Sequence, residues 1–200
     1  MEYVEHGSSV PKLLNIAVNF VEELLKLIGP VRTVENPPYH AWETVEAAIG
    51  FKFPADFRQL VSALGTGRFG VGLYLRNPTA SSDYIRLSKD ELLRFRELMD
   101  HLARGTGLAL FPERGGLISV GGIDRQLFLL RPIPAEARVE GLVWWDTDSD
   151  SAKELPMTIS QFIHDLYLGR IHEEWAVRLQ QYFWRNGTAP LFTPSSADRA

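Results

Sequence analysis

The sequence predicts an α+β fold, with a mixed or antiparallel sheet flanked by helices, and three observations carry that expectation. Apolar residues recur at steps of three and four near both ends of the chain, from Val10 to Ile28 and from Ile159 to Leu166. Between them, residues 108 to 145 hold short apolar runs broken by glycine-bearing turns, the pattern of a meander. A hydrophobic content of 45% over 200 residues is enough to bury a sizeable core without disulfide or metal staples.

The first predicted helix runs from Val10 to Ile28 and aligns Val10, Leu13, Leu14, Ala17, Val21, Leu24, Leu25 and Ile28 before Gly29-Pro30 ends it. A connector with Pro37-Pro38 leads to a second helix, His40 to Ile49, with Trp42, Val45 and Ile49 turned inward and Gly50 as its C-cap. A third starts near Pro54, carries Phe57, Leu60, Val61 and Leu64, and stops at Gly65. The alternation from Phe69 to Leu75 then has strand periodicity.

After a loop over residues 77 to 83, Ser88 and Glu91 form a capping-box pattern for a helix from Lys89 to Arg104, with Leu92, Phe95, Leu98 and Leu102 as its apolar stripe. Strands follow at Leu108–Phe111, Leu117–Val120, Leu127–Leu130 and Val139–Trp145, then an acidic loop from Asp146 to Glu154. A helix from Thr158 to Leu168 is closed by Gly169, and a last helix spans His172 to Trp184. Asn186 to Ala200, rich in Gly, Pro, Ser and Thr, reads as a mobile tail. The chain thus divides into an N-terminal helix and connector (1–39), a central domain (40–170), and a C-terminal helix and tail (171–200).

Composition excludes several classes of function. Cysteine is absent, so there is no thiolate catalysis and no Cys-ligated zinc; a reducing, cytoplasmic setting is the expected one. The N-terminus lacks the basic start of a signal peptide, and its apolar stretch is interrupted by charged and amide residues, so neither export nor membrane insertion is expected. A net charge of −4 argues against nucleic acid as partner, because phosphate binding needs clustered Lys and Arg. An acidic protein more readily meets a basic one.

Asp146, Asp148 and Asp150 form D-x-D-x-D, the opening of a calcium loop, but Ser151 stands at the sharp-turn glycine position and Met157 at the bidentate Glu position. A solvated loop, or an acidic contact surface, is the expected role, and no metal or cofactor is predicted. Gly65-Thr66-Gly67 follows a helix and precedes a strand, which reverses the order of a phosphate-binding loop. His6, His40, His101, His164 and His172 show no helix-face ligand spacing. Of Trp144 and Trp145, one faces the core and the other the opposite side of the sheet.

Trp42 with Glu46, then Gly50, Pro54 within Phe53-Pro54-Ala55-Asp56-Phe57, and Gly65-Thr66-Gly67 resemble the N-terminal signature of the SUKH superfamily. Leu110 to Ile118, with the pair Gly115-Gly116, is similar to the family's segment before a strand, and Ile159 to Gly169 to its closing helix. The likeness covers Ala41 to Gly169 and departs after Gly121, where Gly122-Ile123-Asp124-Arg125 replaces the usual Asp-Gly turn. It implies a SUKH-like α+β fold and a protein-binding role. Bacterial members are frequently immunity proteins that neutralise toxins, and fungal relatives regulate cell-wall synthesis.

The resulting expectation is an immunity-type protein, not an enzyme, whose sheet face and acidic loops cover a toxin domain and block its active site. Glu113, Asp124, Asp146, Asp148 and Asp150 are the candidate partner-binding residues. A regulatory adaptor without a toxin partner is one alternative. A metal-dependent enzyme, using the Asp146–Asp150 loop with a histidine brought near by folding, is another.

Overall fold

The computed structural model describes residues 19–133, 138–184 and 189–195. Asn19 has non-helical φ and ψ of −83° and 88°, and its side chain accepts a hydrogen bond from the Glu22 N–H, so α1 (Phe20–Ile28) begins there. This corrects the expectation of one helix running through Asn19; residues 10–18 lie outside the described residues. Val21 and Leu24 are buried, as the apolar stripe requires.

α2 (Tyr39–Ile49) and α3 (Ala55–Leu64) are held together by the residues that stood out in the sequence. The Trp42 indole N–H donates to Ser62 Oγ at 2.9 Å, and its ring meets those of Phe53 and Phe57 edge-on. Glu46, almost fully buried, accepts the Phe53 N–H at 2.8 Å, with the Arg58 guanidinium 3.6 Å away. Its carboxylate therefore ties the α2–α3 connection to the helix before it, which explains a buried glutamate on an apolar face. Gly65 ends α3 at φ 67°, where a Cβ would lie 1.9 Å from the Val34 carbonyl oxygen. Gly67 leaves room for the Phe192 ring, 2.2 Å from where its Cβ would be.

The expected strand from Phe69 to Leu75 is in fact two. Phe69 and Leu73 exchange backbone hydrogen bonds of 2.7 and 3.0 Å across a tight turn, separating β1 (Gly67–Phe69) from β2 (Tyr74–Leu75). A 3₁₀ turn, Asp83–Ile85, leads to α4 (Lys89–Thr106). Ser88 caps α4 through the Glu91 N–H, but the Glu91 carboxylate turns to Arg94 at 2.8 Å, so the reciprocal half of the box is not made. Leu98, expected inward, is 72% exposed. The inward row is Leu92, Phe95, Met99 and Leu102, which follows the 3.6-residue period more closely.

Residues 108–111 are not a strand; Leu110 makes only an isolated bridge to Leu117, and tight turns through Glu113 and Gly116 occupy the space. The meander is β3 (Ile118–Ile123), β4 (Gln126–Ile133), β5 (Arg138–Asp146) and β6 (Ser151–Leu155), with β2 on its outer side. The order β2-β3-β4-β5-β6 is antiparallel throughout. Gly121 and Gly122, expected in a turn, belong to β3 and pair with Leu75 and Tyr74; a Cβ on Gly121 would sit 2.5 Å from the Tyr74 carbonyl oxygen of β2, and one on Gly122 2.7 Å from the Gln126 carbonyl oxygen of β4. The acidic loop is also shorter than expected: residues 147–150 turn, and 151–155 form β6.

α5 (Ile159–Tyr167) starts at the Thr158 cap, and α6 (Glu174–Trp184) follows. Phe192–Pro194 form β7, which pairs with β1, so this part of the expected mobile tail is ordered structure. Leu191 and Phe192 are buried, and the Phe69 and Phe192 rings lie 5.0 Å apart. Val21, Leu24, Ala176, Phe183 and Phe192 join the same core as Trp42 and Phe57. The boundaries at 39/40 and 170/171 therefore do not separate independent cores.

That core lies on one face of the sheet, where residues of α1, α2, α3, α5 and α6 join one cluster with Phe128, Leu130, Leu142 and Trp144. On the other face Leu127, Leu129, Val143 and Trp145 pack against α4 and the 108–117 segment. Both tryptophans are buried, and Trp144 stacks on Trp175 at 4.5 Å. Around Phe128, Leu129, Val143 and Trp145 both faces of the central strands are covered. No helix among the described residues is long and apolar enough to cross a membrane.

Candidate functional site

Two hairpin turns meet at one end of the meander. Ile123 pairs with Gln126 around Asp124-Arg125, and Asp146 pairs with Ser151 around residues 147–150, while Gln126 and Asp146 are themselves cross-strand neighbours. The Thr147 backbone N–H and hydroxyl both donate to the Arg125 carbonyl oxygen, at 3.0 and 3.1 Å. These bonds tie the two turns to each other in one corner of the sheet.

Within that corner each aspartate has its own task. Asp146 folds the turn: one carboxylate oxygen accepts the Asp148 N–H at 3.0 Å and the other the Ser149 hydroxyl at 2.9 Å. Partial burial pushes the Asp146 carboxyl up, but these donors, with the Ser149 amide and the Gln126 side chain, outweigh it and hold the group below its ordinary value. Asp148 is exposed and pairs with the Arg125 guanidinium of the adjoining turn. Asp150, also exposed, adopts φ 50°, a left-handed conformation that aspartate tolerates better than most residues. Its carboxylate lies beside Gly105 near the end of α4 and has no hydrogen-bond or ion-pair partner among the described residues.

Asp124, at φ 46°, accepts the Tyr182 hydroxyl at 2.6 Å. Sequence reasoning missed Tyr182, although a signal existed: Tyr182-Phe183-Trp184 are consecutive on a helix, and one face cannot bury all three. Phe183 and Trp184 are buried, while Tyr182 remains 51% exposed. The corner thus presents four carboxylates, one guanidinium and the ring of a tethered tyrosine. Its excess of negative charge faces water, where it attracts a cationic surface.

Glu113 does not belong to this group. It pairs with Arg96 at 3.1 Å, nine residues before Gly105 on α4, roughly 13 Å away along the helix axis. The signature residues Trp42, Glu46, Gly50, Pro54, Gly65 and Gly67 lie in the α2–α3–β1 region described above, and Gly115 and Gly116 in the turn before β3. Gly116 packs tightly enough that a Cβ would sit 2.5 Å from the Leu110 carbonyl. Gly50 and Gly115 adopt φ of 82° and 75°, the left-handed region that favours glycine.

The D-x-D-x-D carboxylates do not converge on a common point. No group of three His, Asp or Glu side chains positioned to hold a metal ion occurs among the described residues. Buried His164 instead sets Nδ1 2.8 Å from Asp165 Oδ1 and packs against the Phe20 ring. No protein-family model matches this chain, and neither a curated protein nor a solved structure matches it.

Proposed function

We propose that this chain is a non-catalytic protein-binding domain of the immunity type, a SUKH relative, which neutralises a toxin domain by covering its active site. The observation that carries the reading is the presence of Asp124, Asp146, Asp148 and Asp150 on two adjoining turns joined through Thr147 and the Arg125 carbonyl, with Tyr182 bonded to Asp124. Turns already bonded to each other meet a basic surface with less of their own ordering left to do. Tyrosine is a residue type that anchors interfaces, because it offers a large ring and a polar tip at low conformational cost.

Occlusion requires more than the corner. An interface of standard size buries roughly 1,600 Å² in total, so neighbouring surface must take part, and the sheet edge at β6 is the adjacent candidate. Toxin active sites that act on nucleic acid or other anionic substrates are basic, which suits this charge. The absence of cysteine suits a reducing cytoplasm.

Affinity capture from an extract of the native host tests the reading. Wild-type protein and the variant Asp124→Asn, Asp148→Asn, Asp150→Asn serve as parallel baits, and retained proteins are identified by mass spectrometry. A basic protein retained by the wild type and depleted from the variant supports the reading; equal retention by both removes the acidic corner from it. Calorimetry with calcium, magnesium, manganese and zinc addresses the metal-enzyme alternative, and specific heat from the Asp146–Asp150 turn would favour that alternative instead.

A further inference from the structure

β6 ends the sheet on the side opposite β2. It pairs with β5 alone among the described strands, and Ser151, Ala152 and Glu154 are exposed. Such an edge carries a row of backbone N–H and C=O groups able to template one more strand. Leu155, at its C-terminal end, borders a groove of about 750 Å³ with the buried Leu130, Leu142 and Ile159 at its floor and Lys52, Ala55 and Met157 on its rim. Grooves of that size hold bulky apolar groups. The N-terminal end of β6 emerges directly from the Asp148–Asp150 turn. Edge, groove and acidic corner are therefore continuous along five residues.

We infer that β6 and this groove form one docking surface for an extended segment of a partner protein, which adds antiparallel to β6 and seats a large apolar side chain in the groove. Side chains alternate along a strand, so Ser151, Lys153 and Leu155 share a face. Lys153 lies over the Trp175 ring, on the side of the larger core, and the groove opens on that same side. An incoming residue opposite Leu155 points over the groove, and the residue four positions later lies opposite Ser151, against the acidic corner. The segment therefore reads as a large apolar residue, three residues of which the middle one, opposite Lys153, is not basic, then Lys or Arg. The basic position rests on the acidic corner being a contact surface; the edge and the groove do not.

A second copy of this chain fits less well. When β6 pairs antiparallel with itself along its full length, the two Lys153 ammonium groups face each other, and Pro156, which lacks an N–H, stops the ladder at both ends. Charge complementarity thus selects a foreign, basic segment.

Selection of phage-displayed random decapeptides on the whole protein tests the inference, followed by fluorescence anisotropy with the enriched peptides. Ala55→Arg places a charge at the exposed rim of the groove, and Met157→Asp does so from a half-buried position on its wall. Thermal melts confirm that each variant is folded. The expected result is enrichment of the apolar-x-x-x-basic spacing, with affinity weakened about tenfold or more by either groove variant. Asp148→Asn with Asp150→Asn weakens it about threefold, more at low salt. Absence of any enriched spacing overturns the inference, as does binding that both groove variants leave unchanged. Loss in the groove variants without loss in the aspartate variant keeps the docking surface and removes the acidic corner; the reverse pattern keeps the corner and removes the docking surface. A concentration-dependent dimer that the peptides dissociate overturns the choice of a foreign partner.

Discussion

The two faces of the sheet are built on different principles. On the larger face Phe162 of α5 and Trp175 of α6 pack on Phe128 and Trp144 of the sheet, within a cluster that takes in five helices, and the stabilisation comes from aromatic area removed from water. On the other face a single helix, α4, stands over Trp145; of its two buried residues only Ala103 joins this layer, while Leu92 belongs to the larger core. Polar bonds make up part of the difference there. Arg76, 4% exposed, donates to Ser119 Oγ at 3.2 Å and to the carbonyl oxygens of Tyr84 and Arg86 at 3.2 and 3.1 Å, with its guanidinium 5.5 Å from the Phe95 ring centroid. Burial depresses the Arg76 pKa, with the neighbouring Tyr74, Tyr84 and Glu91 opposing that shift. A thin layer is thus fixed by hydrogen bonds where a thick one is fixed by packing.

The contrast predicts an order of sensitivities. Phe162→Ala, in the thick layer, costs about 3–5 kcal/mol in chemical denaturation, because a large ring is removed where its neighbours cannot all collapse inward. Arg76→Ala, in the thin layer, costs about 1–3 kcal/mol, chiefly from stranding the Tyr84 and Arg86 carbonyls and the Ser119 hydroxyl. If Arg76→Ala proves neutral, the thin layer is not held by its polar bonds. Leu98→Ser, on the outer face of α4, changes stability by less than about 0.5 kcal/mol; a larger loss would mean that α4 packs through the row first expected from the sequence.

The smallest effect concerns pH at the acidic corner. The folded Asp146 carboxyl lies below its ordinary value, so the turn's contribution is fully present above the unfolded Asp pKa of about 3.9 and is lost as pH falls through the lower folded value. Carboxyl titration by NMR should find the Asp146 midpoint below 3.9, and Ser149→Ala should raise it by removing one donor. A midpoint that Ser149→Ala leaves in place would contradict the hydrogen bonds assigned to this turn.

Local rules made much of the thick layer legible in the sequence. Trp42, Val45 and Ile49 mark one helical face, Gly50 and Gly65 mark two helix ends, and Thr158 starts α5, because each depends only on neighbours within a turn or two. Features that depend on distant partners were hidden. Phe192–Pro194 reads as tail until β1 is placed beside it, and Ser151–Glu154 reads as a polar loop because an edge strand buries little. Leu98 rather than Met99 looked inward, since leucine and methionine satisfy neighbouring phases of the same period. The aspartates of the corner stood out by spacing, whereas Tyr182 reaches Asp124 only through the tertiary fold, and Glu113 proved to be tied elsewhere.

The association rate constant of the captured partner, measured against ionic strength for wild type and for the variant lacking the Asp124, Asp148 and Asp150 charges, tests the central claim most directly. A recognition surface built on the corner predicts faster association at low salt for the wild type and a flatter dependence, with slower association, for the variant. Identical rates and identical salt dependence for the two proteins would contradict it.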